Sequence, residues 1–257
     1  MTGSARSQLV PSGRAVDYRA AHAAPGYAAI YAKTYETGFY RRQWETIERP
    51  LIERLLRARA EAGAESVLDF ACGTGRVTEI AVPLFRTVIG VDVAPEMLAT
   101  ARAKCPTARF VETDITREEF HGRVDVVTAF RFFLNAGPAL RLEALTACRR
   151  ILNRPDGVLI ANVHVNRRSP LGAAYRVRNA IRRRATANTL SLREIRRILL
   201  ETGFVVEEVH YYSVLPRLGW WFPRWWEALM EPAERLGRRF RWCAERAQCF
   251  LVVARAR

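Results

Sequence analysis

Residues 67–76 read VLDFACGTGR. An apolar run ends at Asp69 and Phe70, and the chain then turns through Gly73 and Gly75 toward a helix. That order of elements brings backbone N–H groups and the positive end of a helix up against a ligand. A nucleoside triphosphate loop would need a lysine and a hydroxyl residue directly after its last glycine, but Arg76 follows Gly75. An ATPase is thereby excluded. The dinucleotide pattern G-x-G-x-x-G is also incomplete, because Thr78 stands where the third glycine belongs.

Working outward, short β-rich runs alternate with helical patterns. The runs are ESVLDF, RTVIGVD, ARFVET, VDVVTAF and GVLIANVHV, followed later by FVVEEVHYYSV and CFLVVARA. VTEIAVPLF, PEMLATARAKC and PALRLEALTACRRIL lie between the early runs and read as helices. Such alternation predicts βαβ units and a parallel sheet covered on both faces. Ser191 and Glu194 form a capping-box pattern at the start of a further helix, and Gly203 is suited to end it. Two more carboxylates stand beside the glycine loop in this scheme. Asp92 ends the second run, where it can accept both hydroxyls of a ribose, and Asp114 follows the third, where it can accept an adenine amino group. Asp69 can face an amino group or a cation. The set suits a positively charged nucleoside better than a pyrophosphate.

VLDFACGTGRVT, VIGVDVAPEMLATAR, FVETDI and DVVTAFRFFLN together resemble the ordered motifs of class I S-adenosylmethionine-dependent methyltransferases, over roughly residues 60 to 165. The resemblance implies a Rossmann-like, doubly wound seven-stranded sheet, mostly parallel with an antiparallel last strand, for which CFLVVARA is suited. It implies S-adenosylmethionine as cofactor. Carried over, the loop from Ala71 through Gly73 and Gly75 approaches the methionine part and ribose. Asp92, with Val93 beside it, takes the ribose hydroxyls. Met97 packs on adenine, Asp114 and Ile115 flank the ring, and Phe130 lies near the sulfonium. Ala94 departs from the serine that many relatives carry after the ribose carboxylate, which costs a helix cap.

Methyl transfer needs an aligned acceptor, and a hydroxyl acceptor also needs a base. His164, at the end of the fifth run, is the candidate general base, with a structural histidine at the sheet margin as the alternative. Asn135, Asn162 and Asn166 could orient an acceptor or bond loop backbone. The [DN]-P-P-[YF] sequence typical of adenine and cytosine amino methylation is missing, AFRFFLN standing in its place. The expected acceptor is an oxygen, less favourably a nitrogen, of a small molecule, natural product, sugar or lipid-linked intermediate. An RNA methyltransferase and a non-catalytic scaffold or membrane adaptor of the same fold are the alternatives.

The 257 residues, 49% of them hydrophobic, suffice for one α/β core. Residues 1–20 read as a polar tail without the apolar stretch of a secretory signal, and 21–257 as a single domain. Its lid, 21–60, carries tyrosines at four-residue spacing, of which Tyr31 and Tyr35 are expected at the cofactor; Pro50 should bend or restart its second helix. Five cysteines without C-x-x-C or histidine pairing predict free thiols in a reducing cytoplasm and no metal site. The net charge is +15, almost wholly from arginine, which either covers solvated faces or meets an anionic partner.

Two insertions interrupt the fold. The first, about 166–190, carries Arg176, Arg178 and Arg182 to Arg184, suited to an acidic or phosphorylated acceptor or to RNA. The second, about 216–246, contains WWFPRWWEALM. From Pro223, a helix start, it strings Phe222, Trp225 or Trp226, Leu229, Ala233, Leu236 and Phe240 along one stripe beside arginines. Residues 220–241 thus fit an anionic membrane surface, with internal packing or a homodimer as the alternatives.

Overall fold

The computed structural model describes residues 26, 38–153, 156–181, 189–215 and 223–257. Tyr31, Tyr35, the tail 1–20 and Arg182 to Arg184 lie outside them. The described chain opens with α1 (Gly38–Gln43), a π-helical turn (Trp44–Glu48) and α2 (Arg49–Glu61) without a break. Pro50 has no N–H to give a preceding carbonyl, and the helix widens just before it: Arg49 N–H reaches back to Trp44 O rather than to Glu45. The expected restart therefore takes the form of a single wide turn.

The alternating unit follows: β1 (Ser66–Phe70), α3 (Arg76–Ala81), β2 (Thr87–Asp92), α4 (Pro95–Lys104), β3 (Arg109–Glu112), β4 (Val126–Ala129), α5 (Pro138–Ile151) and β5 (Val158–Val163). Then come α6 (Pro170–Ile181), α7 (Leu192–Glu201), β6 (Phe204–Tyr212), α8 (Pro223–Arg239), α9 (Arg241–Ala244) and β7 (Cys249–Ala256). The seven strands form one sheet in the order β3-β2-β1-β4-β5-β7-β6. The pairs β1–β2, β1–β4, β2–β3 and β4–β5 are parallel, and β7 runs antiparallel to both β5 and β6. All seven runs read from the sequence are strands, and the last one is the antiparallel one.

Alternate residues of each strand feed two cores. Leu68, Phe70, Val127 and Leu159 pack on one face with Ala144, Leu145 and Cys148 of α5 and Ile195 and Leu199 of α7. Val67, Val88, Val126 and Ile160 pack on the other with Ile52, Leu55 and Leu56 of α2 and Val77 and Ile80 of α3. This period of two leaves β1 buried on both sides, as a central parallel strand requires. Helix α7 begins on the predicted capping box: Ser191 Oγ accepts from Glu194 N–H, and the Glu194 carboxylate accepts from Ser191 N–H. Gly203, at φ +83°, turns the chain out of it.

Strand order reverses at β1, with β2 on one side and β4 on the other. In open α/β sheets such a switch point leaves a crevice outside the carboxyl ends of the strands. The glycine loop hangs there.

Candidate cofactor site

Gly73 and Gly75 both adopt left-handed conformations, at φ +54° and +74°. Gly75 closes the loop through a hydrogen bond from its N–H to Cys72 O (3.0 Å) and leads directly into α3. A Cβ on Gly75 would stand 3.0 Å from the Cβ of Ala101 on α4, so this glycine also permits close helix packing. A Cβ on Gly73 would meet nothing within 4 Å, so the loop stands clear of the protein on that side.

Asp92, the last residue of β2, grips this loop. Its Oδ2 accepts Gly73 N–H at 2.8 Å and its Oδ1 accepts Ala94 N–H at 3.0 Å. The second bond fixes the N-cap residue Ala94 itself, which precedes Pro95 at the start of α4 and has no side-chain acceptor for the first helical N–H groups. Asp69 is spent differently from the expectation of a ligand-facing carboxylate. It is buried; its Oδ2 accepts both the N–H and the hydroxyl of Thr78 (3.0 and 2.7 Å), and its Oδ1 accepts the Thr128 hydroxyl (2.7 Å). Thr78, which breaks the dinucleotide pattern, thus pins α3 to β1. Burial pushes the Asp69 carboxyl up to about 6, against the opposing pull of these hydrogen bonds.

A narrow cleft of about 40 Å³ opens over the loop, lined by Asp69, Ala71 to Thr74, Arg76, Val77, Phe130 and Arg131, together with Trp44 and Glu48 from the π-helical turn. Ala71, Gly73 and Phe130 therefore line one cleft. The Arg76 guanidinium stacks on the Trp44 ring at 3.7 Å, tying the π-helical turn to the start of α3.

Glu48 and Arg131 were not singled out from the sequence. The Glu48 carboxylate is wholly buried and joins three strand ends. It accepts from Arg131 Nη2 after β4 (2.7 Å), Tyr212 OH on β6 (2.9 Å) and Asn162 Nδ2 on β5 (3.2 Å). Burial alone would raise its carboxyl, but Arg131, Arg76 and the Tyr212 hydroxyl together hold it below the usual carboxylate range. Arg131 itself sits at φ +57°, held by a 2.6 Å bond from its N–H to Asn162 Oδ1. A side-chain-bearing residue in that conformation carries a cost that its surroundings must offset, as is common at functional sites. The one signal was an arginine inside the aromatic run AFRFFLN. Nothing in the sequence separates Glu48 from Glu45 or Glu53.

The other expected residues lie around rather than in this cleft. Met97 is buried on α4 and Val93 follows Asp92 in the turn. Ile115 belongs to the core, and Asp114 caps its own turn, its Oδ1 accepting the N–H and hydroxyl of Thr116. His164 follows the end of β5 and is not among the cleft-lining residues. Of the asparagines, Asn162 belongs to the Glu48 cluster, whereas Asn166 bonds the backbone oxygens of Glu245 and Ala247. All five cysteines are free, and no metal-binding cluster occurs among the described residues.

Residues 67–157 match a family model described as a methyltransferase domain. The chain is 34% identical over 122 residues to a protein of Geobacillus sp. (strain WCH70) named as a methyltransferase, covering 44% of this chain and 48% of that one. It is 37% identical over 83 residues to trans-aconitate 2-methyltransferase of Paracidovorax citrulli (strain AAC00-1), covering 32% of each. The chain thus spans about half the length of the first of these curated relatives and about a third of the second. In fold it is similar to magnesium protoporphyrin IX methyltransferase of Synechocystis PCC 6803, solved with bound S-adenosylhomocysteine, at a TM-score of 0.65 and 15% identity, over 94% of this chain and 100% of that one. N-methyltransferase NodS of Bradyrhizobium japonicum WM9 is similar at 0.59 and 16% identity, over 90% and 97%. Residues 67–157 thus carry a methyltransferase domain, and the glycine loop and switch-point crevice sit in the fold of solved S-adenosylmethionine-dependent methyltransferases.

Proposed function

We propose that this protein binds S-adenosylmethionine at the glycine loop and transfers its methyl group to an oxygen of a small-molecule, sugar or lipid-linked acceptor. The observation that carries the reading is the Asp92 carboxylate, held against Gly73 N–H at the carboxyl end of β2. A carboxylate oxygen accepts more than one hydrogen bond, so Asp92 can bond the loop and the ribose hydroxyls together. The open side of Gly73 fits a cofactor lying along the loop. Met97, Asp114 and Ile115 would surround the adenine, Val93 would follow the ribose, and Ala71, Gly75 and Phe130 would border the methionine end. When bound, the cofactor supplies a methyl group on a positively charged sulfur.

The residues of this chain have the remaining tasks: aligning the acceptor, excluding water and accepting a proton if the acceptor is a hydroxyl. His164, just past β5, is the proposed base. Trans-aconitate and magnesium protoporphyrin, named for the relatives, are small molecules and favour that acceptor class over RNA.

Titration calorimetry with S-adenosylmethionine tests the reading. Binding by the wild type and its loss in Asp92→Ala, with the thermal melt retained, is the expected result; unchanged binding in the variant would remove Asp92 from the site. His164→Ala should lower turnover while leaving cofactor affinity intact, and full turnover would take His164 out of the reaction. RNA association that falls steeply with salt would favour the RNA alternative.

A further inference from the structure

Helix α8 carries its apolar residues outward. Leu229, Leu236 and Phe240 follow one another at helical spacing and are 50%, 58% and 51% exposed, and Trp242 just beyond is 64% exposed. The inward side holds Met230, Glu234 and Gly237. Glu234 accepts Val214 N–H at 2.9 Å, and a Cβ on Gly237 would lie 2.6 Å from a methyl of Val214. Turning the helix to bury its stripe would break that bond and drive a side chain into Val214. The outward orientation is therefore fixed by packing. Of the predicted stripe, Phe222, Trp225 and Trp226 lie outside the described side chains.

Charge says what covers the stripe. The described acids nearby are already neutralised: Glu231 by Arg42 (2.7 Å), Glu234 by Arg238 (3.0 Å) and Glu245 by Arg241 (3.1 Å). Arg235 and Arg239, which adjoin Leu236 and Phe240 in the chain, have no acidic partner among the described residues. A second copy laid on this face would bring like charges together in a chain of net charge +15. An anionic surface would not. The geometry points to α8 and the turn after it as a docking face for an anionic lipid bilayer. Leu229, Leu236, Phe240 and Trp242 enter the boundary between headgroups and acyl chains, and Arg235 and Arg239 meet lipid phosphates.

This deepens the methyl-transfer reading, on which it rests for its purpose: it makes the acceptor a membrane-held molecule. The docking helix is also tied to the lid. Arg42 of α1 holds Glu231, and Met230 packs in the same core cluster as Ile47 of the π-helical turn. Seating α8 on a bilayer thus fixes the element that covers the cleft.

The test is co-sedimentation of the full chain with phosphatidylcholine vesicles, with and without phosphatidylglycerol, at low and high salt. Calorimetry with S-adenosylmethionine is run on the same samples. Association with the anionic vesicles is expected. L229E/L236E should weaken it by about tenfold or more, from the lost burial of two side chains. R235Q/R239Q should weaken it by at least about tenfold at low salt, with little effect at high salt. Both variants change exposed residues and should keep the wild-type melt and cofactor binding. Vesicle association without cofactor binding leaves the docking face standing and removes the methyl-transfer reading. Cofactor binding without vesicle association overturns the docking face. So does a wild-type dimer in sedimentation equilibrium that L229E/L236E converts to monomer while vesicle association stays unchanged.

Discussion

Asp69 and Glu48 are both buried carboxylates lining one cleft, and their proton affinities are shifted in opposite directions. Asp69, on β1, is met among the described residues by neutral donors, the Thr78 amide and the hydroxyls of Thr78 and Thr128. Glu48, from the π-helical turn, faces the Arg131 guanidinium as well as Tyr212 and Asn162. Burial raises the first to about 6, while the second stays below the ordinary range. Burial alone therefore does not decide which way a carboxyl's proton affinity moves; the partner does. The glycine-loop side is held by hydrogen bonds from neutral donors, and the Glu48 side by an ion pair.

The contrast can be broken most sharply at Arg131. Arg131→Met leaves Glu48 buried without its cation and should cost roughly 3–5 kcal/mol in urea unfolding. Adding Glu48→Gln in the same chain should recover much of that loss, because the stranded charge is gone; an additive double variant would mean the pair acts independently. The next largest effect is on pH dependence, and the two carboxylates have opposite signs. Asp69 binds its proton more tightly in the folded state, so its contribution to stability grows as pH falls from about 6 toward the unfolded value near 4, by up to roughly 3 kcal/mol. The folded pKa of Glu48 is lowered, so its contribution is complete above about 4.5 and is lost as pH falls below that. Melts across this range should therefore gain stability and then lose it, and Arg131→Met/Glu48→Gln should flatten the acid limb only. The smallest expected change is at Thr128. Thr128→Val removes one hydrogen bond to Asp69, should cost about 1 kcal/mol at neutral pH, and should move the Asp69 titration upward. A titration that stayed in place would show that Thr78 alone sets it.

The same contrast explains what was legible in the sequence. The glycine-loop side is built from contiguous segments, so its strand runs, its two glycines and the position of Asp92 could be read directly. The capping box at Ser191 and the helix start at Pro223 were legible for the same reason: each acts on the backbone within a turn. Thr78 could be read only as a missing glycine, because its positive role is a bond to a residue nine positions earlier. The Glu48 side is assembled from distant parts of the chain. The Glu48 partners lie 83, 114 and 164 residues away, and no local pattern records such distances. The stripe on α8 was legible as a stripe, but its outward direction depends on Gly237 meeting Val214. Helical spacing fixes which residues share a face, not which way the face points.

The position of β7 has a consequence for biosynthesis. It is the last strand in chain order, yet it lies between β5 and β6 and pairs with both along their lengths. While a ribosome is still making residues before Cys249, β5 has an open edge and β6 has no neighbour within the sheet. Tyr212, at the end of β6, then lacks the frame that aims its hydroxyl at Glu48. The early strands can pair as they emerge, but the Glu48 cluster cannot close until β7 is inserted. A nascent chain stalled short of β7 would present one unpaired edge on β5 and both edges of β6, which are templates for aggregation. Assembly of the sheet is therefore finished from its interior, by its last-made piece.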